Sequence, residues 1–112
     1  MEEMKIVREL LSFGQAIEAL KRGGLITREG WNGKGMFVFQ QVPSEVPITI
    51  VDKMKSLPQA AKDVFKLRFI LTPKINTVKY SNQLAIVYPD NSIYGWVASP
   101  SDILANDWIA LA

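Results

Sequence analysis

"LAIVYPDNSIYGWV", residues 84–97, decides the fold class. Two apolar runs rich in β-branched and aromatic residues flank Pro89-Asp90-Asn91-Ser92, and all four of those residues favour turns. The stretch therefore predicts a β-hairpin. Just beyond it, Ser99-Pro100-Ser101-Asp102 has the marks of a helix start: a capping hydroxyl, proline at the first helical position and an acid two residues later. Asn106 follows soon, so that helix is short, and "DWIALA" (107–112) reads as a closing strand or tail.

Upstream, "SFGQAIEALKRGG" (12–24) reads as an amphipathic helix. Ser12 and Gln15 match the S-x-x-Q capping box, in which two side chains answer unpaired first-turn N–H groups. Phe13, Ala16, Ile17 and Leu20 form one apolar stripe. Lys21 and Arg22 suit the negative end of the helix, and Gly23-Gly24 ends it. Met4, Val7, Leu10 and Leu11 suggest a further amphipathic turn in an N-terminal arm, residues 1–11. "LITRE" (25–29) and "MFVFQQV" (36–42) predict two strands, and Pro43 and Pro47 break the pattern after them. Ser56 and Gln59 offer a second capping box, with Pro58 near the start of a helix of about ten residues. "TPKINTVKYSNQ" (72–83) predicts a loop or weak strand. The expectation is one α+β domain over residues 1–112, a small antiparallel sheet with two or three short helices.

Composition narrows the chemistry. At 112 residues with 48% apolar content, the chain can build a packed core. Its formal charge of +2 argues against a protein that grips duplex DNA, which usually needs a strongly basic face. There is no cysteine and no histidine. Disulfides, zinc–thiolate sites, thiol nucleophiles, Ser–His triads and imidazole acid–base catalysis are thereby removed. The carboxylates Glu29, Asp52, Asp63, Asp90, Asp102 and Asp107 lack metal-ligand spacing, so neither catalysis nor a cofactor is expected. The N-terminus is too charged and short for a secretory leader, and no run of 18 apolar residues exists. A soluble, cytoplasmic protein without a membrane segment is expected.

"REGWNGKGM" (28–36) brings together three glycines, two cations, a tryptophan and an amide. Its glycine spacing fits neither a dinucleotide fingerprint nor a P-loop. Two readings stay open. One is a glycine-eased hairpin with Arg28 and Lys34 in solvent; the other is a nest of backbone N–H groups that holds an anion, with both cations beside it. Trp96, Trp108, Phe37 and Phe39 suit the core. Trp31, Tyr80, Tyr88 and Tyr94 are better placed to stack on a planar ligand.

"FGQAIEALKRGGLITREGWNGKGMF" and "PDNSIYGWVASPSDILANDW", within residues 13–37 and 89–108, resemble the phage family of Thoeris anti-defence sponge proteins, formerly catalogued as a domain of unknown function. The resemblance implies a binding protein rather than an enzyme. It would sequester cyclic nucleotide second messengers of bacterial immunity, namely glyco-cyclic ADP-ribose isomers of Thoeris systems and cyclic trinucleotides of CBASS systems. Assembly as dimers, often three in a hexamer, in the cytoplasm of the infected bacterium is also implied. The candidate ligand-binding residues are Arg28, Trp31, Asn32, Gly33, Lys34, Gly35 and Met36, with Tyr80, Asn82, Tyr88, Asn91 and Tyr94. Rival readings are a single-stranded nucleic-acid binder, a structural or assembly domain of a phage particle and, last, a phosphodiesterase.

Overall fold

Ser12 starts the first helix as its sequence predicts. Its hydroxyl accepts the Gln15 N–H at 3.2 Å, and Gln15 Oε1 accepts the Ser12 N–H at 2.9 Å. The computed structural model, which describes residues 9–31 and 34–112, places this helix, α1, at Phe13–Lys21. It ends in a Schellman motif, where the N–H groups of Gly23 and Gly24 donate to the carbonyls of Leu20 and Ala19. Eleven further segments follow it, ten of them in this order: β1 (Ile26–Arg28), β2 (Phe37–Gln41), β3 (Ser44–Pro47), a 3-10 turn (Ile48–Lys53), α2 (Gln59–Leu71), β4 (Thr77–Tyr80), β5 (Gln83–Val87), β6 (Ile93–Gly95), α3 (Pro100–Leu104) and β7 (Trp108–Ala110). A second 3-10 turn, Glu29–Trp31, follows β1 directly. The architecture is α+β with antiparallel sheets, as the hairpin signature implied.

Two compact units divide the chain. The first runs to Gln41 and resumes at Gln83. Its five-stranded sheet has the order β6-β5-β2-β1-β7, with every neighbouring pair antiparallel. Helix α1 packs on β1, β2 and β7. Ala16, Ala19 and Leu20 from the helix meet Ile26, Val38, Ile86 and Trp108 from the sheet to form the buried core. Full burial of side chains such as Leu20, Ile26 and Val38 stabilises the fold by roughly 1.5–3 kcal/mol each. Leu11 bridges to Trp108 through two backbone hydrogen bonds, of 2.8 and 3.1 Å. Met4 and Val7, named for the N-terminal arm, lie outside the described residues.

The second unit, Val42–Asn82, pairs β3 with β4 and packs α2 against the 3-10 turn. Val51 of that turn is fully buried. Two expectations are corrected here. The Ser56–Gln59 capping box does not form, because Pro58 is itself the N-cap of a thirteen-residue helix and makes no side-chain bond. Gln59 therefore stands at the first helical position and donates forward to Asp63 Oδ1 at 2.9 Å. The prolines, expected to end strand structure, instead bracket β3. Pro47 is the last residue of that edge strand, where a missing N–H is tolerated.

Candidate ligand-binding site

The turn of the β5–β6 hairpin builds the site. The Asn91 N–H donates to the Tyr88 carbonyl at 2.8 Å and the Tyr88 N–H to the Ser92 carbonyl at 3.0 Å. Asn91 sits in the left-handed region at φ 66°. A tight turn with proline at its second position followed by a left-handed residue is the usual three-residue hairpin loop. Asp90 locks it by accepting the N–H and the hydroxyl of Ser92. The Ser92 hydroxyl is the first cause holding the Asp90 carboxyl below its ordinary range, and the Ser92 N–H adds to it.

Register then sets the neighbours. Ile86 pairs with Tyr94 and Val87 with Ile93, so Tyr88 and Tyr94 are diagonal neighbours on one face. Their rings meet edge to face, 5.4 Å apart at 82°. Tyr88, Pro89, Asp90, Ser92 and Tyr94 line a concavity of about 500 Å³. Both rings stay exposed, so their apolar area and phenolic hydroxyls are open to solvent.

Strand β2 brings the end of the glycine stretch to the same place. Phe37 pairs with Val87, so the residues just before Phe37 run beside the hairpin turn. Gly35, at φ +74°, lies against Pro89: a Cβ there would be 3.4 Å from Pro89 Cγ. Lys34 is exposed, and its N–H donates to the Trp31 carbonyl at 3.3 Å. Met36 is half-buried against the core, and its carbonyl accepts the Thr27 hydroxyl at 2.7 Å. Gly35 thus lies against the turn that carries Asn91 between Tyr88 and Tyr94, and Lys34 precedes it in the chain. Asn32 and Gly33 lie outside the described residues.

The other half of the stretch has a different partner. Arg28 pairs across the sheet with Trp108. Its Nε donates to Asp107 Oδ1 at 2.8 Å and its Nη1 to Asp102 Oδ1 at 2.9 Å. The Gly30 N–H donates to Asp107 Oδ2, also at 2.8 Å. A cation and a glycine N–H do converge on an anion here, and that anion is the chain's own carboxylate. Asp107 falls below its ordinary range first because Arg28 bonds to it; partial burial opposes this and Gly30 assists it. Burial alone would raise Asp102, but bonds from Ser99 and Arg28 outweigh it and hold the carboxyl low. The Asp107 bond is likewise the main reason the Arg28 guanidinium is raised.

Trp31 is also drawn inward. It packs edge-on against Trp108 at 5.4 Å and Trp96 at 6.4 Å, and Phe13 completes the aromatic cluster. Tyr80 and Asn82 belong to the second unit, where they line a separate concavity of about 530 Å³ with Ser44, Glu45 and Lys79. Sequence reasoning missed two roles. Pro89, Asp90 and Ser92 line the tyrosine concavity although "PDNS" signalled only a turn. Asp102 and Asp107 hold Arg28 across more than 70 positions of chain, and no local spacing signals that. Among the described residues no group of three acids could hold a metal ion, and no helix is long and apolar enough to cross a membrane.

Comparison with known proteins adds two findings. A family model described as the Thoeris anti-defense 2-like domain matches residues 11–111. A curated protein named Thoeris anti-defense 2, from Bacillus phage SP01, is 38% identical over 98 residues, which span 88% of this chain and 91% of that protein. The matched region includes residues 43–79, which the resembling motifs left uncovered.

Proposed function

The chain belongs to the Thoeris anti-defense 2-like family and so has an anti-defence role; from that premise we propose that it binds cyclic nucleotide immune signals and sequesters them uncleaved. The observation that carries this reading is the exposed Tyr88–Tyr94 pair on a hairpin whose Pro89 lies against Gly35. Sequestration must compete with a sensitive receptor, which calls for nanomolar affinity, about −12 kcal/mol. Stacking of bases on tyrosine supplies roughly 1–3 kcal/mol per base. Each charge-assisted contact from phosphate to the Lys34 ammonium or to the Gly35 N–H adds about 1.5–3 kcal/mol. Asp90 repels phosphate, so the base lies toward the tyrosines and the phosphates toward Lys34. Arg28, satisfied by two carboxylates, supports this site through the fold.

The signals in this reading are glyco-cyclic ADP-ribose isomers and cyclic trinucleotides, bound in the cytoplasm of the infected host. The concavity is open on one chain, and a second copy would exclude water from it, in keeping with a dimer or a hexamer of three dimers. Calorimetry against both messenger classes and oligo-dT tests the proposal, with mass spectrometry of the ligand recovered after heating. Tight binding of a cyclic nucleotide and its intact recovery are expected. Preference for oligo-dT, or a linear product, would overturn it.

A further inference from the structure

We propose that the second unit docks on an anionic lipid bilayer through the outward face of α2 and the loop that follows it. None of the residues of α2 is fully buried. Its inner side holds half-buried Phe65 and Phe69, and there Lys62 and Lys66 bond to Asp52 at 3.2 and 2.9 Å. The opposite side is apolar too. Val64, Leu67 and Leu71 stand three and four residues apart, so they share one face, and they are 44%, 53% and 73% exposed. Ile70 borders them and Ile75 follows in the loop, both exposed. A helix lying on a protein surface ordinarily turns charged and polar residues to water; here the face turned to water is a stripe of aliphatic side chains.

Charge selects the occupant. Between Val42 and Asn82 stand seven Lys and Arg against three Asp and Glu, a net +4, whereas the whole chain carries only +2. Lys53, Lys55, Arg68 and Lys74 are exposed and, among the described residues, form no ion pair. Arg68 lies one helical turn after Val64, at the margin of the stripe, and Lys74 comes three residues after Leu71. A single-stranded nucleic acid would use these cations and leave the leucines in water. A second copy that paired α2 with α2 would bury the leucines but bring two +4 units together. An anionic bilayer uses both features. The aliphatic side chains enter the boundary between headgroups and acyl chains, and the Arg68 and Lys74 stems lie along it with their charges at the phosphates. No helix among the described residues is long and apolar enough to cross the bilayer, so the contact is with its surface.

This docking face does not depend on the hairpin site. The full chain would be sedimented with vesicles of phosphatidylcholine alone and of phosphatidylcholine mixed with phosphatidylglycerol. Saturable binding to the mixed vesicles is expected, about tenfold weaker on phosphatidylcholine alone and reduced by added salt. Leu71→Gln should weaken it about tenfold, through lost apolar burial. Arg68→Gln and Lys74→Gln should each weaken it about fivefold. All three side chains are exposed, so the variants should keep the fold, which circular dichroism checks; Lys74→Gln, in a loop, still decides if a helix variant unfolds. Absence of binding to the mixed vesicles, equal binding to both lipids, or wild-type binding in Leu71→Gln or Lys74→Gln would each overturn the proposal. So would a dimer in light scattering that Leu71→Gln splits into monomers, which assigns the stripe to a second copy. Failure of cyclic nucleotides at the hairpin would leave it standing.

Discussion

Arg28 holds the Asp107 carboxylate along one edge of its guanidinium, with Nε 2.8 Å from Oδ1 and Nη2 3.4 Å from Oδ2. The same guanidinium reaches Asp102 and stands 5.9 Å from the centre of the Trp108 ring. With Arg28 side-chain exposure at 18% and the two acids at 13% and 26%, the network is largely shielded from water. It ties the strand β1 to helix α3 and strand β7.

Arg28→Ala is therefore expected to act on stability first. Removing one member leaves two partly buried carboxylates facing each other, at a cost of about 2–3 kcal/mol. Chemical denaturation should show this as a lower midpoint. Arg28→Lys should recover only part of the loss, because an ammonium cannot serve both acids in the plane that a guanidinium offers. A melting temperature unchanged in Arg28→Ala would refute the structural role.

Acid should undo the same network. Asp102 and Asp107 are held below their ordinary values in the folded chain. The stability they contribute is thus complete above the unfolded carboxyl value of about 3.9 and is lost as pH falls through the lower folded values. Urea midpoints measured at descending pH should drop from about pH 5 downward. In Arg28→Ala the slope should flatten, mostly through Asp107, whose shift Arg28 chiefly causes.

Tyr88 and Tyr94 test the proposed ligand site without that complication. They are 38% and 57% exposed, so truncation should cost little stability. Tyr94→Ala is expected to weaken cyclic-nucleotide binding by roughly 1–3 kcal/mol, about ten- to hundredfold, in calorimetry. Wild-type affinity in both Tyr88→Ala and Tyr94→Ala would move the site elsewhere.

A side chain at Gly30 would displace the Asp107 carboxylate from its place beside Arg28. A Cβ would lie 2.8 Å from Asp107 Oδ2, the oxygen that accepts the Gly30 N–H. Gly30→Ala is expected to cost about 1–3 kcal/mol in stability. Gly35→Val should be harsher on binding: φ +74° disfavours any branched residue, and the displaced loop would withdraw from Pro89.

Light scattering addresses assembly. A chain of 12.6 kDa is expected to run as a dimer or larger at micromolar concentration, and a clean monomer would count against a pocket completed by a second copy.

Much of the fold was legible because its signals are local. The Ser12–Gln15 and Ser99–Asp102 capping boxes, the Gly23-Gly24 stop and the "PDNS" turn each act within a few residues, and each forms. The Ser56 box failed because a proline two residues on took the cap position. Strand β3 was hidden because its pairing with β4 lies far along the chain and prolines flank it. The candidate site divided in the same way. Arg28 and Gly30 carried a true anion-recognition signal, but sequence could not tell an internal carboxylate from an external phosphate. Only the strand register places Gly35 at the hairpin and Arg28 beside β7.

The rung where Gln41 faces Gln83, with their side-chain amides bonded at 2.9 Å, has an evolutionary consequence. Everything from Val42 to Asn82 departs and returns through that one rung, so in topological terms the second unit is an overgrown hairpin loop. The closure entropy of such a loop rises only as the logarithm of its length. Insertions and deletions within it therefore leave the five-stranded sheet and its register intact. A tight Asn-Gly turn grafted between Gln41 and Gln83 should yield a minimal fold that keeps the hairpin tyrosines, and descendants of this scaffold are free to exchange the excursion while conserving the frame.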